Sequence, residues 1–518
     1  MRQRQEPCCG RCRRYWDARF EDLKLLETAT GRIPLKLTRI KAGHRDAPYP
    51  ASMATFTALP NRDLLERYSA PGPRYTSYPT APQFVGGFDE TRLCEAITGS
   101  NGDPIPRRLS LYVHVPFCFS PCFYCGCNRI ITRDQTRSEL YLSRLYREVA
   151  LVAGRFDRDR EVIQVHFGGG TPNFLSPAQL EECIGTLRRH FYFSDDQSRD
   201  ISIELDPRFI RPTDITELGR IGFNRASFGV QDFDPVVQVA VNRIQSVEET
   251  QAAVDACRAS GFRSVNIDLI YGLPKQTLAG FGRTLDEVLA MRPDRIAVYS
   301  YAHLPEMFRA QRQIEEAELP TPQDKLALLS LAITRLTNAG YLYIGMDHFA
   351  LPDDELSIAQ ARGGLHRNFM GYTTHADSDL IGLGVSAISH IGTTFSQNPR
   401  DLPSWEIALD EGRLPVFRGL TLSEDDQLRA DVIQALMCQA EIPIEPLERR
   451  YQIDFQSYFA TSLEKLATLE ADGLVRREAG KIVATSQGRL FLRNIAMCFD
   501  AYLDPPDNVV RPRFSRAV

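Results

Sequence analysis

Residues 111–128 read LYVHVPFCFSPCFYCGCN and place four cysteines directly after a short apolar, β-branched run that predicts a strand. The cysteines, Cys118, Cys122, Cys125 and Cys127, fall within a stretch of ten residues. Thiols spaced so closely, in a chain without a secretion signal, indicate a metal site rather than disulfides. A structural zinc site usually takes two CxxC pairs separated by a longer insert, and no matching second pair follows this loop.

The CxxxCxxC spacing of Cys118, Cys122 and Cys125 suits an iron–sulfur cluster better than a zinc ion. One tight loop can direct three thiolates at three irons of a 4Fe-4S cluster, which leaves the fourth iron free for a ligand from outside the protein. This pattern resembles the radical S-adenosylmethionine (SAM) enzymes, in which SAM chelates that fourth iron through its amino and carboxylate groups. A zinc knuckle or an inert thiol cluster is the alternative at this point.

The composition is that of a globular protein. With 518 residues and 43% hydrophobic content, the chain is long enough for one large α/β domain with smaller appendages. A net charge of −5, with both signs interspersed, suggests neither a nucleic-acid surface nor a polybasic membrane anchor. No apolar run is long enough to span a bilayer, and we expect a cytoplasmic protein. Single cysteines elsewhere are predicted to be buried free thiols: Cys94, Cys183, Cys257, Cys438 and Cys498.

Residues 1–52 differ from the rest of the chain, with twelve Lys/Arg against six Asp/Glu. They include Cys8, Cys9 and Cys12, which form a poor closed metal site because no fourth ligand lies nearby. We therefore predict a disordered extension.

Six apolar, strand-like runs recur from residue 109 onward, each followed by sequence of helical periodicity. They lie at 109–115, 162–167, 200–205, 225–230, 264–270 and 295–301. Repeated βα units predict a parallel sheet. We therefore expect an α/β protein built on an incomplete (β/α)6 barrel, with an N-terminal extension and a mainly helical, winged-helix-like C-terminal domain.

Unusual residues follow these predicted strands at the carboxyl ends, where parallel α/β folds bind ligands. The second strand is followed by Gly168, Gly169, Gly170 and Thr171, and the later strands end at Glu204, Asp206, Gln231, Asp232, Asp268, Tyr301 and His303. A tight turn would explain the glycine run alone, and a single acidic residue is more often a cap or an ion-pair partner. Their shared location at one rim favours a binding site.

The sequence resembles one family of radical SAM enzymes, the oxygen-independent coproporphyrinogen III oxidases (dehydrogenases), from about residue 70 to the C-terminus. Besides the cysteine loop, the similar segments are PGPRYTSYPTA, HFGGGTP, SIELDPR, GVQDF, VNR, NIDLIYGLPKQT, YAHLP, GMDHFA, LHRNFMGYTT and GVSAIS. The divisions that we predict are an extension at 1–52, a segment lining the substrate site at 53–108, the partial barrel at 109–345, a barrel extension or cover at 346–419 and a C-terminal helical domain at 420–518.

The resemblance implies roles for individual residues. Cys118, Cys122 and Cys125 would bind one 4Fe-4S cluster, whereas Cys127 would not, and the catalytic candidates are Tyr112, His114 and Cys127. Two SAM molecules would bind. Their implied contacts are Tyr112, Tyr124, Gly169, Gly170, Thr171, Glu204, Gln231, Arg243, Asp268, Ala302 and Ile388. Tyr124 replaces a common Phe, which should keep the aromatic packing.

The implied reaction converts two propionates of coproporphyrinogen III to vinyl groups, giving protoporphyrinogen IX. A propionate Cβ–H is too weak an acid for a side-chain base, so a 5'-deoxyadenosyl radical would remove the hydrogen. The implied partners are coproporphyrinogen III, an electron donor of the flavodoxin or ferredoxin type and an electron acceptor, with no nucleic acid or membrane, and the chain is expected to be a monomer. Arg74 and Arg367 are candidates for binding the substrate carboxylates.

Three alternatives remain open. A haem chaperone of the same superfamily would lack the CGC cysteine and the PGPRYTSYPTA segment, both of which are present. Another radical SAM enzyme could modify a porphyrin in a different way. A zinc or DNA-binding protein would leave the residues at the strand ends unexplained, and the C-terminal region has no concentrated basic recognition helix.

Overall fold

The computed structural model describes residues 62–503. The extension predicted at 1–52, with Cys8, Cys9 and Cys12, lies outside the described residues. Among those that are described, no helix combines the length and the apolarity needed to cross a bilayer.

Six of the strands lie where the sequence predicts apolar, strand-like runs. In chain order the strands are β1 (Arg108–Val115), β2 (Phe117–Cys118), β3 (Ile130–Ile131), β4 (Glu161–Gly169), β5 (Tyr192–Phe193), β6 (Asp200–Leu205), β7 (Arg225–Gln231), β8 (Ser264–Tyr271), β9 (Arg295–Ser300), β10 (Leu342–Gly345), β11 (His348–Ala350), β12 (His366–Asn368), β13 (Gly371–Thr373), β14 (Ser378–Leu383), β15 (Ile388–Ile391), β16 (Thr394–Gln397), β17 (Arg418–Thr421), β18 (Glu441–Pro443), β19 (Val475–Glu478) and β20 (Lys481–Ala484).

Several helices begin at side-chain caps, such as Ser176 with Gln179 and Ser246 with Glu249, which satisfy the free N–H groups of the first turn. The helices are α1 (Arg62–Arg67), α2 (Glu90–Asn101), α3 (Thr136–Ala153), α4 (Pro177–His190), α5 (Pro212–Ile221), α6 (Pro235–Ala240), α7 (Val247–Ala259), α8 (Leu278–Met291), α9 (Pro322–Asn338), α10 (Glu355–Ala361), α11 (Leu402–Asp410), α12 (Glu424–Gln439), α13 (Ile444–Tyr451), α14 (Phe455–Tyr458), α15 (Ala460–Ala471) and α16 (Leu492–Met497).

The six predicted strands are confirmed as β1, β4, β6, β7, β8 and β9, which are parallel neighbours in one large sheet. Their spatial order is their chain order, as expected when each strand returns through a helix packed on the same side of the sheet. A seventh parallel strand, β14, pairs with β1, and β15, β16 and β17 continue the sheet with antiparallel pairing. At the opposite edge, β11 pairs antiparallel with β9.

Strand β1 shows how the sheet acquires a polar inner face. Leu109, Leu111 and Val113 are buried in the main apolar core, whereas the alternate residues Tyr112 and His114 face other polar side chains. Successive side chains of a strand point to opposite faces. The apolar face therefore packs against the helices, and the polar face lines the interior of the partial barrel.

The C-terminal region has its own core and holds part of the N-terminal segment. Its order, α12, β18, α13, α14, α15 and the β19–β20 hairpin, is that of a winged helix, as predicted. Tyr75 and Tyr78 are buried in this core. The Tyr75 hydroxyl donates to Asp500 Oδ2 at 2.9 Å, and Arg493 Nε donates to the Pro73 carbonyl at 2.9 Å. The proline-rich segment is thus fixed to the C-terminal domain.

The prediction of buried free thiols is confirmed for four of the five single cysteines and wrong for Cys94. Cys183, Cys257, Cys438 and Cys498 are buried free thiols, and Cys94 is half-buried. Burial raises the pKa of the Cys183 thiol to about 12, which keeps it protonated and unreactive.

Glu148 of α3 joins the barrel to the added strands. It is 1% exposed and accepts hydrogen bonds from the Gly384 N–H at 2.7 Å, Asn398 Nδ2 at 2.6 Å and Trp405 Nε1 at 3.2 Å. Burial raises the pKa of Glu148 to about 7, although all three donors favour the ionised form.

This raised pKa predicts a pH-dependent stability. Between about pH 4.5 and pH 7 the folded protein keeps a proton that the unfolded chain has released, so the free energy of unfolding falls as pH rises through this window. The glutamine of the Glu148→Gln variant does not ionise. The free energy of unfolding of the wild type, relative to that of the variant, should therefore fall by on the order of 3 kcal/mol across the window. Urea unfolding at several pH values measures the difference, and parallel pH profiles for the two proteins would contradict it.

Candidate active site

The cysteine loop sits at the carboxyl end of β1 and is closed at its base. Strand β2, which ends at Cys118, pairs in parallel with β3, so residues 119–129 form a loop with fixed ends. Cys118 and Cys122 are buried, Cys125 is half-buried and Cys127 is exposed, and all four are free. Together they line one cavity of about 210 Å3.

Each of the three predicted cluster ligands has a donor near its sulfur. Thr171 Oγ1 donates to Cys118 Sγ at 3.3 Å, Arg243 Nη1 to Cys122 Sγ at 3.4 Å and the Cys127 N–H to Cys125 Sγ at 3.4 Å. The side chain of Cys127, followed by the charge of Arg129, lowers the pKa of Cys125 to about 6. Since the thiolate is the form that binds iron, this environment favours metal binding.

Arg129 holds the loop backbone in shape. Its guanidinium donates to the carbonyl oxygens of Cys122, Cys125 and Cys127, at 3.3, 3.0 and 3.4 Å. His114 Nε2 lies 3.2 Å from the Asn128 carbonyl and Nδ1 lies 3.2 Å from the Tyr112 hydroxyl. Because a carbonyl only accepts, Nε2 carries the proton and Nδ1 accepts from Tyr112.

The donor set fits a cluster better than a single ion. Within residues 62–503, no three His, Cys, Asp or Glu side chains converge as one metal ion would require. A 4Fe-4S cluster instead takes its thiolates on separate irons, so three buried or half-buried thiols around one cavity suit it.

The residues predicted at the strand ends meet the thiols at this cavity. Its lining includes Tyr124, Gly169, Gly170, Thr171, Glu204, Gln231, Arg243 and Asp268, together with the four cysteines. These residues come from distant parts of the chain. The structure therefore brings together most of the predicted SAM contacts around the cysteine loop.

The glycine run is required by close packing rather than only by a turn. Gly169 has φ of 113°, and a Cβ there would lie 2.5 Å from His114 Cε1. A Cβ on Gly170 would lie 2.8 Å from the backbone of Pro116. The glycines thus allow the end of β4 to lie directly against the start of the cysteine loop, and the Gly169 N–H donates to Glu204 Oε2 at 3.2 Å.

Two carboxylates of the cavity have opposite electrostatic environments. Desolvation opposes ionisation of Glu204, but hydrogen bonds from His166 and Gly169 hold its pKa below the usual range. Desolvation raises the pKa of Asp268 to about 6, although Asn266 and Ser227 donate to it. Glu204 is therefore the more strongly anionic of the two at neutral pH.

The other predicted site residues do not line this cavity. Tyr112 stacks on His166, with ring centroids 5.9 Å apart. Ala302 follows β9, and its carbonyl accepts from Gln311 Nε2 at 3.1 Å. Ile388 lies on β15 beside Gly382, which pairs in register with Tyr112.

Sequence reasoning missed two residues that hold the loop. Arg129 follows the loop directly, and an arginine next to the cysteine motif is the feature of the sequence that could have identified it. Gln311 gave no signal, because it lies far along the chain in no recognisable motif. Its Nε2 donates to the carbonyl oxygens of both Tyr124 and Ala302 and so links the loop to the end of β9.

Two family models match the chain. Residues 112–288 match the radical SAM superfamily, and residues 422–491 match the HemN C-terminal domain. The first match contains the cysteine loop and most of the cavity residues, and the second covers most of the winged-helix region.

Several curated proteins are similar over most of their length. The chain is 52% identical to the oxygen-independent coproporphyrinogen III oxidase of Pseudomonas aeruginosa over 456 residues, which cover 88% of this chain and 98% of that one. It is 48% identical to the enzyme of the same name from Escherichia coli, over 85% of this chain and 95% of that one.

A solved structure agrees with these matches. The structure described as "Coproporphyrinogen III oxidase (HemN) from Escherichia coli is a Radical SAM enzyme" aligns with a TM-score of 0.80 and 48% identity. The alignment covers 83% of this chain and 98% of that chain. The similarity therefore extends over the barrel and the C-terminal domain together.

Proposed function

Because the chain belongs to the family of oxygen-independent coproporphyrinogen III oxidases, which are radical SAM enzymes, we propose that it decarboxylates two propionates of coproporphyrinogen III to vinyl groups. The product is protoporphyrinogen IX, a precursor of haem. The observation that carries the proposal is the meeting of free thiols and strand-end residues around one cavity.

Cys118, Cys122 and Cys125 hold the 4Fe-4S cluster in this proposal, and Cys127 remains unligated beside it. When bound, the reduced cluster and SAM supply a 5'-deoxyadenosyl radical, which is reactive enough to remove a hydrogen atom from an unactivated propionate Cβ. The residues of the cavity bind these groups, exclude water and fix the distance to the substrate.

The charges of the cavity match the groups of SAM. The ionised Glu204 carboxylate suits the positively charged methionine end, whereas the Arg243 guanidinium suits the methionine carboxylate. We assign to Asp268 the role of accepting hydrogen bonds from ribose hydroxyl groups, a common role of an acidic residue at a strand end. The backbone N–H groups of the glycine run complete the polar lining.

Two SAM molecules are part of the proposal. Most of the residues expected to contact SAM line the cluster cavity. Three others do not line it, namely Tyr112, Ala302 and Ile388. This division supports a second SAM beside the first.

A larger cavity of about 870 Å3 is proposed to hold the tetrapyrrole, since small-molecule sites commonly measure about 300–1,000 Å3. Ala302, Tyr301 and His303 line it at the end of β9, and Leu65 and Pro71 line it from the N-terminal segment. This supports the prediction that residues 53–108 contribute to the substrate site.

Electrons are proposed to come from a soluble flavodoxin- or ferredoxin-type donor and to leave to a separate acceptor. Cys127 is exposed, which supports access to the cluster loop from solvent. We place the protein in the cytoplasm as a monomer.

The test is an anaerobic assay with the reconstituted protein, a reductant, SAM and coproporphyrinogen III, followed by product analysis. Formation of protoporphyrinogen IX, two molecules of carbon dioxide and 5'-deoxyadenosine is expected. Tight haem binding without this product would favour a haem chaperone, and another tetrapyrrole product would favour a different radical SAM reaction.

A further inference from the structure

Arg367 is a buried arginine whose guanidinium lacks an acceptor. It lies on β12, directly opposite Tyr372 on β13, and is 5% exposed. Its Nε and Nη1 atoms are buried and have no hydrogen-bond partner within residues 62–503. A buried charge without a partner is costly, so this arrangement indicates that an acceptor arrives with a ligand.

Comparable arginines nearby have carboxylate partners. Arg74, the other candidate for binding substrate carboxylates, forms an ion pair with Asp347. Arg295 Nε lies 2.9 Å from Asp354 Oδ2. Of these three arginines, only Arg367 has no carboxylate partner among the described residues, so it is available to bind an anion of a ligand.

A column of rings connects Arg367 to a cavity. Its guanidinium carbon lies 4.8 Å from the centroid of the Tyr372 ring. The Tyr372 ring contacts His348 at 5.2 Å, and His348 contacts Tyr299 at 5.8 Å between centroids. All three rings line a cavity of about 170 Å3 inside the barrel. Burial, followed by the charge of Arg367, lowers the pKa of His348 to about 3, so His348 is neutral and does not compete as a cation.

This barrel cavity adjoins the cluster cavity and has room for an anionic side chain. Glu204, Ser227 and Asp268 line both cavities. Of the acidic groups on the wall of the barrel cavity, Asp200 pairs with Arg225 at 2.6 Å, Glu204 contacts His166 at 3.3 Å, and Asp268 accepts hydrogen bonds from Ser227 and Asn266. Tyr299 lines the barrel cavity, and the next residue of β9, Ser300, lines the 870 Å3 cavity.

We propose that Arg367 binds a propionate carboxylate of the tetrapyrrole at the wall of the barrel cavity formed by Tyr372, beside the SAM site. This role rests on the proposed function. It is assigned to Arg367 and not to Arg74, although the sequence made both arginines candidates for binding the substrate carboxylates. A planar guanidinium can form two parallel hydrogen bonds with a carboxylate, which fixes the orientation of the side chain as well as its position. The methionine carboxylate of a second SAM has the same chemistry, and the test distinguishes the two.

Arg367→Met is the main test, since it removes the charge and keeps an apolar side chain of similar length. Because the wild type buries an unpaired charge, the melting temperature should be unchanged or higher. Affinity for coproporphyrin III, the stable oxidised form with the same propionates, should fall about tenfold or more in a fluorescence titration. In turnover the KM for coproporphyrinogen III should rise, while SAM affinity stays the same.

Arg489→Met is the matched control. Arg489 is also a buried arginine whose Nε has no partner within residues 62–503, but its Nη2 donates to the Tyr343 carbonyl at 2.8 Å. Its guanidinium lies over the Tyr343 ring, which does not line the barrel cavity. Its loss should lower the melting temperature and leave coproporphyrin affinity unchanged. Arg367→Lys, which keeps the charge without the planar fork, should recover part of the binding and provides the test if Arg367→Met folds poorly.

Wild-type affinity for coproporphyrin III in Arg367→Met, or in Arg367→Lys and Arg367→Ala together, would overturn the inference. Loss of SAM affinity with unchanged coproporphyrin affinity would overturn it too and would assign the carboxylate to SAM. Failure of the wild type to form protoporphyrinogen IX would count against the proposed function alone, because the porphyrin titration does not depend on turnover.

Discussion

Cys118→Ala is expected to abolish cluster assembly and therefore all turnover. Cys118 supplies one of the three proposed thiolates, and its sulfur is held by Thr171 Oγ1 at the base of the loop. A cubane with two protein ligands is poorly retained, and without it SAM has no reductant. Iron and sulfide content, visible absorption and product formation after anaerobic reconstitution measure the effect.

Two other cysteines provide controls for this experiment. Cys127→Ala should keep a cluster but impair turnover, because in the proposed assignment Cys127 lies beside the cluster without being a ligand. Cys183→Ala removes a buried thiol in α4 away from the cavity and should keep both cluster and turnover. If Cys127→Ala also lost all of its iron, the assignment of ligands would be wrong.

Arg160→Met is expected to destabilise the fold by about 3–5 kcal/mol, the usual cost of breaking a buried ion pair. Arg160 Nη2 lies 2.7 Å from Asp379 Oδ2, and the two side chains are 2% and 0% exposed. Arg160 also donates to the Arg107 carbonyl, so it joins the regions where β1, β4 and β14 begin. Without it, the Asp379 carboxylate remains buried with no cation opposite. Urea unfolding measures the loss.

Arg211→Met is the control, because its ion pair with Asp214 lies at the surface, with the Arg211 side chain 79% exposed. It should change stability by less than about 1 kcal/mol. The double variant Arg160→Met with Asp379→Leu should be less destabilised than the sum of the two single changes, since it removes both buried charges. Additive losses would show that the ion pair is not the source of the effect.

The strands of the barrel and the cysteine loop were predictable because their signals are local. Each strand is an apolar run of a few residues, and the residue that follows it lies at the rim by geometry alone. The seventh parallel strand, β14, was not predicted, because its place beside β1 is set by tertiary pairing between segments far apart in the chain. Residues 346–419 were expected only to extend or cover the barrel.

Within the site, the sequence could not separate residues of the same type. Arg74 and Arg367 both lie in segments similar to the family. They differ in that Arg74 pairs with the Asp347 carboxylate, whereas Arg367 Nε and Nη1 have no partner among the described residues. The role of Gln311 likewise depends on two carbonyl groups brought together by folding. Partners of buried polar groups are tertiary facts, and local patterns do not encode them.

The proline-rich segment is attached to the C-terminal core, so the barrel and the C-terminal domain depend on each other when the chain is truncated. Tyr75 and Tyr78 are held among C-terminal helices, and the neighbouring Pro71 forms part of the wall of the 870 Å3 cavity. Truncation to the barrel alone would therefore release part of the wall of the proposed substrate site along with the winged helix. We therefore expect a minimal barrel without the C-terminal domain to be a poor starting point for engineering this enzyme.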